Sequence, residues 1–419
     1  MMKRLLILGS LGEFTKLVQK AKSRGIYTIV CDGYPHGPAR KYADASYTIP
    51  VTDTDAVAAL CRRENIEGIL TSFSDLLFEC MVKIADKAQI PCYLKTDQLP
   101  FYRDKSRMKA LLTKLGIPTP AFCRLKSDFS DGDLGGLSFP LVTKPLDKYG
   151  SRGLCVVDSV RELRERFSLA AGYSDSGEIL VEEYNAGLEF NLMTWVLDGI
   201  VRPISLADRE KTPVGPGEIP ISTRNVYPSR LLSPVLAPAV EIMQHFVKAT
   251  GQTDGPLSMQ FFWSPDSGIQ VGEIAGRFFG YEHDLTDIAL GLNMEDLLLD
   301  SLYDRESLRR TLLNHDPGRH PKRYGAVLYF QGRELPVADL SVARSLAKHP
   351  GVVLPWIFYH EGERVVEHGP NPYVALYYVA AESREKLDAL TDEFFRAMSV
   401  KDPTGAEVLY RNAIPRYPV

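Results

Sequence analysis

The chain has 419 residues, of which 45% are apolar and 24% charged, with a formal net charge of −4 at neutral pH. This length exceeds one ordinary core and calls for two or three domains. The slightly acidic balance disfavours nucleic acid as a partner, and no apolar run approaches a membrane span. The opening "MMKRLLILGS" reaches Gly9 too soon for a signal-peptide core and reads as a buried strand, and with the scattered cysteines described next the expected location is cytoplasmic. Six scattered cysteines without a CxxC pair read as reduced core thiols rather than as a disulfide framework or zinc site.

The first hundred residues alternate strand and helix. "KRLLILG", "IYTIVCDG" and "IEGILTS" are apolar runs, and "IPCYL" reads as a fourth strand. Between them "EFTKLVQKAKSRG", "TDAVAALCRREN" and "LLFECMVKIADKAQ" carry apolar residues at helical spacing. The pattern predicts a parallel sheet covered on both faces. The turn "GSLGEF" is only G-x-x-G, short of the dinucleotide fingerprint. Asp32 therefore reads as part of a packing lobe, not as a ribose ligand.

A helix over Lys105–Leu115 comes next, then strands at "FPLVTKP", "GLCVV", "EILVEEY" and "EFNLMTWVLDG". "PLSMQFFW" and "GIQVGEIAG" predict a hairpin around "SPDSG". The stretch from Arg209 to Arg230, rich in Pro, Gly, Ser and Thr, reads as a long loop. From about Pro321 three more strands and the amphipathic helix "SREKLDALTDEFFRAM" predict an α+β tail.

Chemistry concentrates in a few places. Lys144 ends an apolar strand before the loop "KYGSRG", whose glycines let backbone N–H groups approach an anion. The loop is not a Walker A motif. Glu182, Glu183 and Glu189 lie along an apolar frame suited to an adenine amino group or ribose hydroxyls. The hairpin brings Gln260 towards Glu273, and such oxygen ligands suit Mg²⁺ bound with phosphates. In "GEIAGRFFG" a single base, Arg277, follows Glu273 among glycines.

These residues, in this order, resemble the ATP-grasp superfamily of carboxylate–amine ligases over Lys105 to Leu299. The flanks are similar to the Rossmann-like lobe and C-terminal lobe of its biotin carboxylase and amino-acid ligase branches. The resemblance implies an α/β and α+β chain: a Rossmann-like domain (1–98), an ATP-grasp domain (99–320, with lobes at about 118–184 and 185–320) and a C-terminal α+β lobe (321–419). It also implies ATP and Mg²⁺ as cofactors, with Mn²⁺ an alternative ion. Lys105 and Lys144 would contact phosphates, under a loop with Ser151, Arg152 and Gly153 at its tip. Glu182, Glu183 and Tyr184 would hold adenine, and Glu189 the ribose. Gln260 and Glu273 would bind magnesium, and Arg277 would steady the transferring phosphoryl group. His283 and Arg224 are candidate substrate contacts.

Two positions depart from the superfamily's pattern. Gln260 stands where most members have a carboxylate, and Ala275 where many have asparagine. The expected activity is ATP-dependent amide formation between an amino acid or similar carboxylate and an amine, through an acyl phosphate. The alternatives are a nucleotide-binding scaffold or sensor without turnover, and a carboxylase-like or carbamoyl-phosphate synthase-like enzyme. The expected partners are small molecules, and the expected assembly a homodimer.

Overall fold

A computed structural model describes residues 3–146, 154–212, 220–318, 321–366, 373–410 and 417. Strands β1 (Arg4–Leu8), β2 (Tyr27–Cys31), β3 (Ala45–Tyr47) and β4 (Gly68–Leu70) form a parallel sheet in the order β3-β2-β1-β4. Helices Thr15–Ser23 and Thr54–Arg63 supply crossovers between its strands, and helix Asp75–Ala88 follows β4. The continuous apolar runs are explained by burial on both faces, since Leu5 to Leu8 are all fully buried. Asp32 accepts hydrogen bonds from the amide and hydroxyl of Ser10, both at 2.8 Å. Its carboxylate therefore closes the glycine turn, in keeping with a packing role. "IPCYL" is not a strand: Ile90–Leu94 is irregular, with Tyr93 donating to the Gly276 carbonyl at 3.1 Å.

Strands β5 (Phe122–Leu125), β6 (Leu141–Pro145), β7 (Cys155–Val157) and β8 (Ile179–Glu183) make a small antiparallel sheet, ordered β5-β8-β6-β7. Helix Val160–Ala171 lays Leu163, Phe167 and Ala170 against it.

The third sheet has eight strands: β9 (Leu188–Leu197), β10 (Ile200–Lys211), β11 (Ser222–Tyr227), β12 (Asp254–Ser264), β13 (Gly268–Ala275), β14 (Tyr324–Gln331), β15 (Val352–Ile357) and β16 (Tyr373–Ala381). Their order is β13-β12-β9-β10-β11-β14-β16-β15. The tail beyond Pro321 thus extends the sheet begun by the central segment. The expected loop from Arg209 to Arg230 is strand at both sides: β10 runs on to Lys211 and β11 takes Ser222–Tyr227, the two pairing antiparallel with Glu210 opposite Arg224, while 213–219 lie outside the described residues. Mixed charge hid this, because in this sheet polar residues point both into the site and into a buried ion network.

Candidate active site

Asp104 caps helix Lys105–Lys114 by accepting the amides of Ser106 (2.9 Å) and Arg107 (3.1 Å). Lys105 and Lys109, one turn apart, share a face of that helix. Lys109, almost fully buried, reaches Glu182 Oε1 at 3.2 Å and Thr119 Oγ1 at 2.7 Å. From β6, Lys144 Nζ reaches the other oxygen of Glu182 at 2.6 Å. Burial pushes the Glu182 carboxyl up, but Lys144 and Lys109 outweigh it and hold it below the usual range. The lysines carry the strain. Burial, with Lys144 beside it, lowers Lys109 to about 8 despite Glu182. Lys105 is lowered the same way, against the pull of Glu273.

The third sheet supplies the acids. In register, Gln260 lies opposite Glu273 on one side and Asn191 on the other. Glu189, on β9 two residues before Asn191, accepts from the Gln260 side-chain amide and pairs with Arg209 and Lys211 of β10. Those two cations outweigh burial and hold Glu189 below the usual carboxylate range. Lys211 is itself lowered by burial and by Arg209, and it lies within electrostatic reach of Lys144. Lys105, Lys144, Glu182, Glu189, Gln260 and Glu273 thus share one electrostatic neighbourhood.

Gln260 and Glu273 suit Mg²⁺ of a particular kind. Among the described residues no group of three or more His, Cys, Asp or Glu comes together as a metal cluster. One carboxylate and one amide oxygen fit an ion that keeps most of its shell as phosphate oxygens and water. The Gln260 amide nitrogen is directed at Glu189, which leaves its oxygen as the acceptor.

Arg277 is held by Asp75 at the start of helix Asp75–Ala88, with Nε donating to Oδ1 at 2.7 Å and Nη2 to Oδ2. Despite burial, Arg277 keeps Asp75 below the usual carboxylate range. Gly276 permits this approach, since a Cβ there would lie 2.7 Å from the Phe78 ring. Glu183 accepts the amide of Ser138 at 2.8 Å, and the Tyr184 amide bonds the Pro140 carbonyl at 2.9 Å. These bonds tie both residues to the segment entering β6, where the chain leaves β8 for β9.

His283 is buried, stacked on Phe73 at 4.0 Å, with Nε2 at 3.3 Å from Asp284 and 3.5 Å from Glu295. Arg224 is not on a loop that grips substrate. It is fully buried on β11, bonded to Glu210 (2.6 Å), Asp388 (2.6 Å) and Thr391 (2.9 Å). Arg384 binds Asp208, Glu210 and Asp388 beside it, fixing helix Arg384–Ala397 to the sheet. Ser151, Arg152 and Gly153 lie outside the described residues.

Sequence reasoning missed Lys109, Asp75, Arg209, Lys211 and Glu282. Glu282 is buried and accepts from Asn225 (2.6 Å), Tyr227 (2.7 Å) and Asn191, and burial raises its carboxyl. The helical spacing of Lys105 and Lys109 was a usable signal. The other four become visible only through strand register and domain packing.

This three-sheet architecture, with its lysines and acids facing one another, is the ATP-grasp fold that the sequence resembles. The chain is similar to an L-amino acid ligase from Bacillus licheniformis (TM-score 0.78, 19% identity, covering 96% of this chain and 98% of the other). It is also similar to the biotin carboxylase domain of a 2-oxoglutarate carboxylase from Hydrogenobacter thermophilus, a structure in complex with MgADP, ADP and bicarbonate (TM-score 0.73, 15% identity, covering 97% and 92%). By sequence it is 28% identical over 187 residues to a formate-dependent phosphoribosylglycinamide formyltransferase of Haemophilus ducreyi, covering 43% of this chain and 47% of that protein. The chain thus spans about half the length of the first curated relatives it matches. No family model matches it.

Proposed function

We propose that the protein is an ATP-dependent ligase that joins an amino acid or similar carboxylate to an amine through an acyl phosphate. One observation carries this reading: Lys105, Lys109, Lys144, Arg209 and Lys211 converge on only Glu182, Glu189 and Glu273, and burial, with repulsion from Lys144 and Arg209, lowers Lys105, Lys109 and Lys211 despite those carboxylates. In a chain of net charge −4, such crowding of cations is costly unless a polyanion arrives, and a triphosphate fits that need. Lys105, Lys109 and Lys144 would grip phosphate oxygens. Glu182, Glu183 and Tyr184 would border the adenine, and Glu189 the ribose. Ser151, Arg152 and Gly153 would cover the phosphates.

Glu273 and Gln260 would hold Mg²⁺, with Mn²⁺ as a substitute, and the ion would supply charge neutralisation on the phosphates. The chain's own residues position and neutralise. A substrate carboxylate oxygen attacks the γ-phosphorus and ADP leaves. Arg277, steadied by Asp75, neutralises the acyl phosphate. An amine then attacks the carbonyl carbon, and phosphate departs with the carboxylate oxygen. His283 would border the acceptor. Arg224, spent on buried ion pairs, would support the fold.

We place the reaction in a cytoplasmic enzyme acting on small molecules as a homodimer, with domains at 1–98, 99–320 and 321–419, the last adding its strands to the large sheet of the second. The structural likeness to the amino-acid ligase and the MgADP-bound carboxylase domain supports the nucleotide chemistry. The test is ADP release with Mg²⁺ over pairs of acids, including amino acids, formate and bicarbonate, with amines. Tight ATP binding without ADP release from any pair would replace the ligase with a sensor.

A further inference from the structure

The pairing of β9 and β10 ends with Phe190 opposite Asp208. One step further would set Glu189 opposite Arg209, two residues whose side chains meet in the site. At that step the hydroxyl of Tyr417, from the far end of the chain, enters between the strands. It accepts the Glu189 amide at 2.8 Å and lies 2.8 Å from the Arg209 carbonyl and 2.5 Å from that of Glu189. Its single proton serves one carbonyl at a time. The ring is buried, edge-on to Phe190 with centroids 5.4 Å apart.

We propose that Tyr417 is a positioning residue for the nucleotide site: its hydroxyl spans β9 and β10 at Glu189 and Arg209 and sets the separation at which Arg209, Lys211 and Gln260 converge on the Glu189 carboxylate. The physical reason is local. Residues opposite each other in a hydrogen-bonded antiparallel pair hold their Cα atoms about 5.5 Å apart. A bridging hydroxyl replaces one direct N–H···O=C bond by two in series and holds the backbones wider. Without the hydroxyl, the Glu189 amide and Arg209 carbonyl would close on each other or remain unpaired. Either outcome shifts the base of both side chains. The last described residue thereby acts on the nucleotide site through the main chain, not by touching substrate.

This inference rests on the nucleotide-binding reading above, and the experiment separates the two. MgATP affinity is measured by calorimetry for the wild type, Tyr417→Phe and Tyr417→Ala, with Tm recorded for each. Tyr417→Phe keeps the ring against Phe190, so its Tm stays within about 3 °C of the wild type, while MgATP binding weakens about tenfold. Tyr417→Ala loses both affinity and Tm. A role in folding alone would lower Tm and leave the affinity of the folded protein unchanged. Wild-type affinity in folded Tyr417→Phe would overturn the assignment of the hydroxyl. A wild type that binds no MgATP would instead overturn the nucleotide reading.

Discussion

Lys109 offers a quantitative test of the polyanion argument. Its ammonium is lowered to about 8 by burial and by Lys144, whereas an unburied lysine titrates at about 10.4. At pH 8.5 about three-quarters of the free protein carries a neutral Lys109, against about one-tenth at pH 7.0. A triphosphate placed beside the ammonium favours its charged form and raises the value well above either pH. MgATP binding must therefore take up about 0.7 proton at pH 8.5 from this group and about 0.1 at pH 7.0. Lys105 and Lys211 are lowered too and add uptake in the same direction. The assay is titration calorimetry in two buffers of different ionisation enthalpy, where the difference in observed heat gives the protons exchanged. Lys109→Met should remove its share of the uptake at pH 8.5. Equal heats in both buffers at pH 8.5, with ATP bound, would refute the reasoning.

Three further outcomes follow from the geometry. Arg224→Ala should destabilise the fold by about 3–5 kcal/mol in chemical denaturation, because it breaks buried pairs with both Glu210 and Asp388 and leaves Arg384 as the remaining partner of Glu210; a loss under about 1 kcal/mol would contradict the buried network. Gly276→Ala should cost about 1–3 kcal/mol through contact with Phe78 and Leu94. Since that residue precedes Arg277, turnover should fall as well, and an unchanged Tm and rate would show that the approach is not tight. Gln260→Glu would turn the donor that Glu189 now accepts into a like charge. Without Mg²⁺ it should cost about 1–3 kcal/mol, and millimolar Mg²⁺ should restore Tm more in the variant than in the wild type. Equal Mg²⁺ responses would argue that residue 260 is not a ligand.

The fold was legible wherever burial imposed a simple period. The uniformly apolar strands of the first sheet and the hairpin that pairs Gln260 with Glu273 follow directly from their patterns. β11 was not legible, because Arg224 and Asn225 serve opposite faces of a strand with little exposed surface. Its charges mimic a solvated loop, although its Arg224 neutralises Glu210 inside the protein. The short β3 lacks the apolar run that signals a strand, and "IPCYL" has such a run only to pack beneath Gly276. Within the site, Lys144, Gln260 and Glu273 stand in recognisable sequence contexts. Asp75 and Tyr417 do not, since their partners lie about two hundred positions away. The glycine turn holding Arg277 thus also packs against helix Asp75–Ala88, about two hundred positions earlier, which its local sequence does not reveal.

The measurement closest to the central claim follows the carboxylate oxygen. With an acid labelled by ¹⁸O in both carboxyl oxygens, an amine, ATP and Mg²⁺, transfer through an acyl phosphate places one labelled oxygen in each inorganic phosphate released and forms ADP. The account predicts that label in phosphate, appearing in step with the amide. Amide formed with unlabelled phosphate, or with AMP in place of ADP, would contradict it.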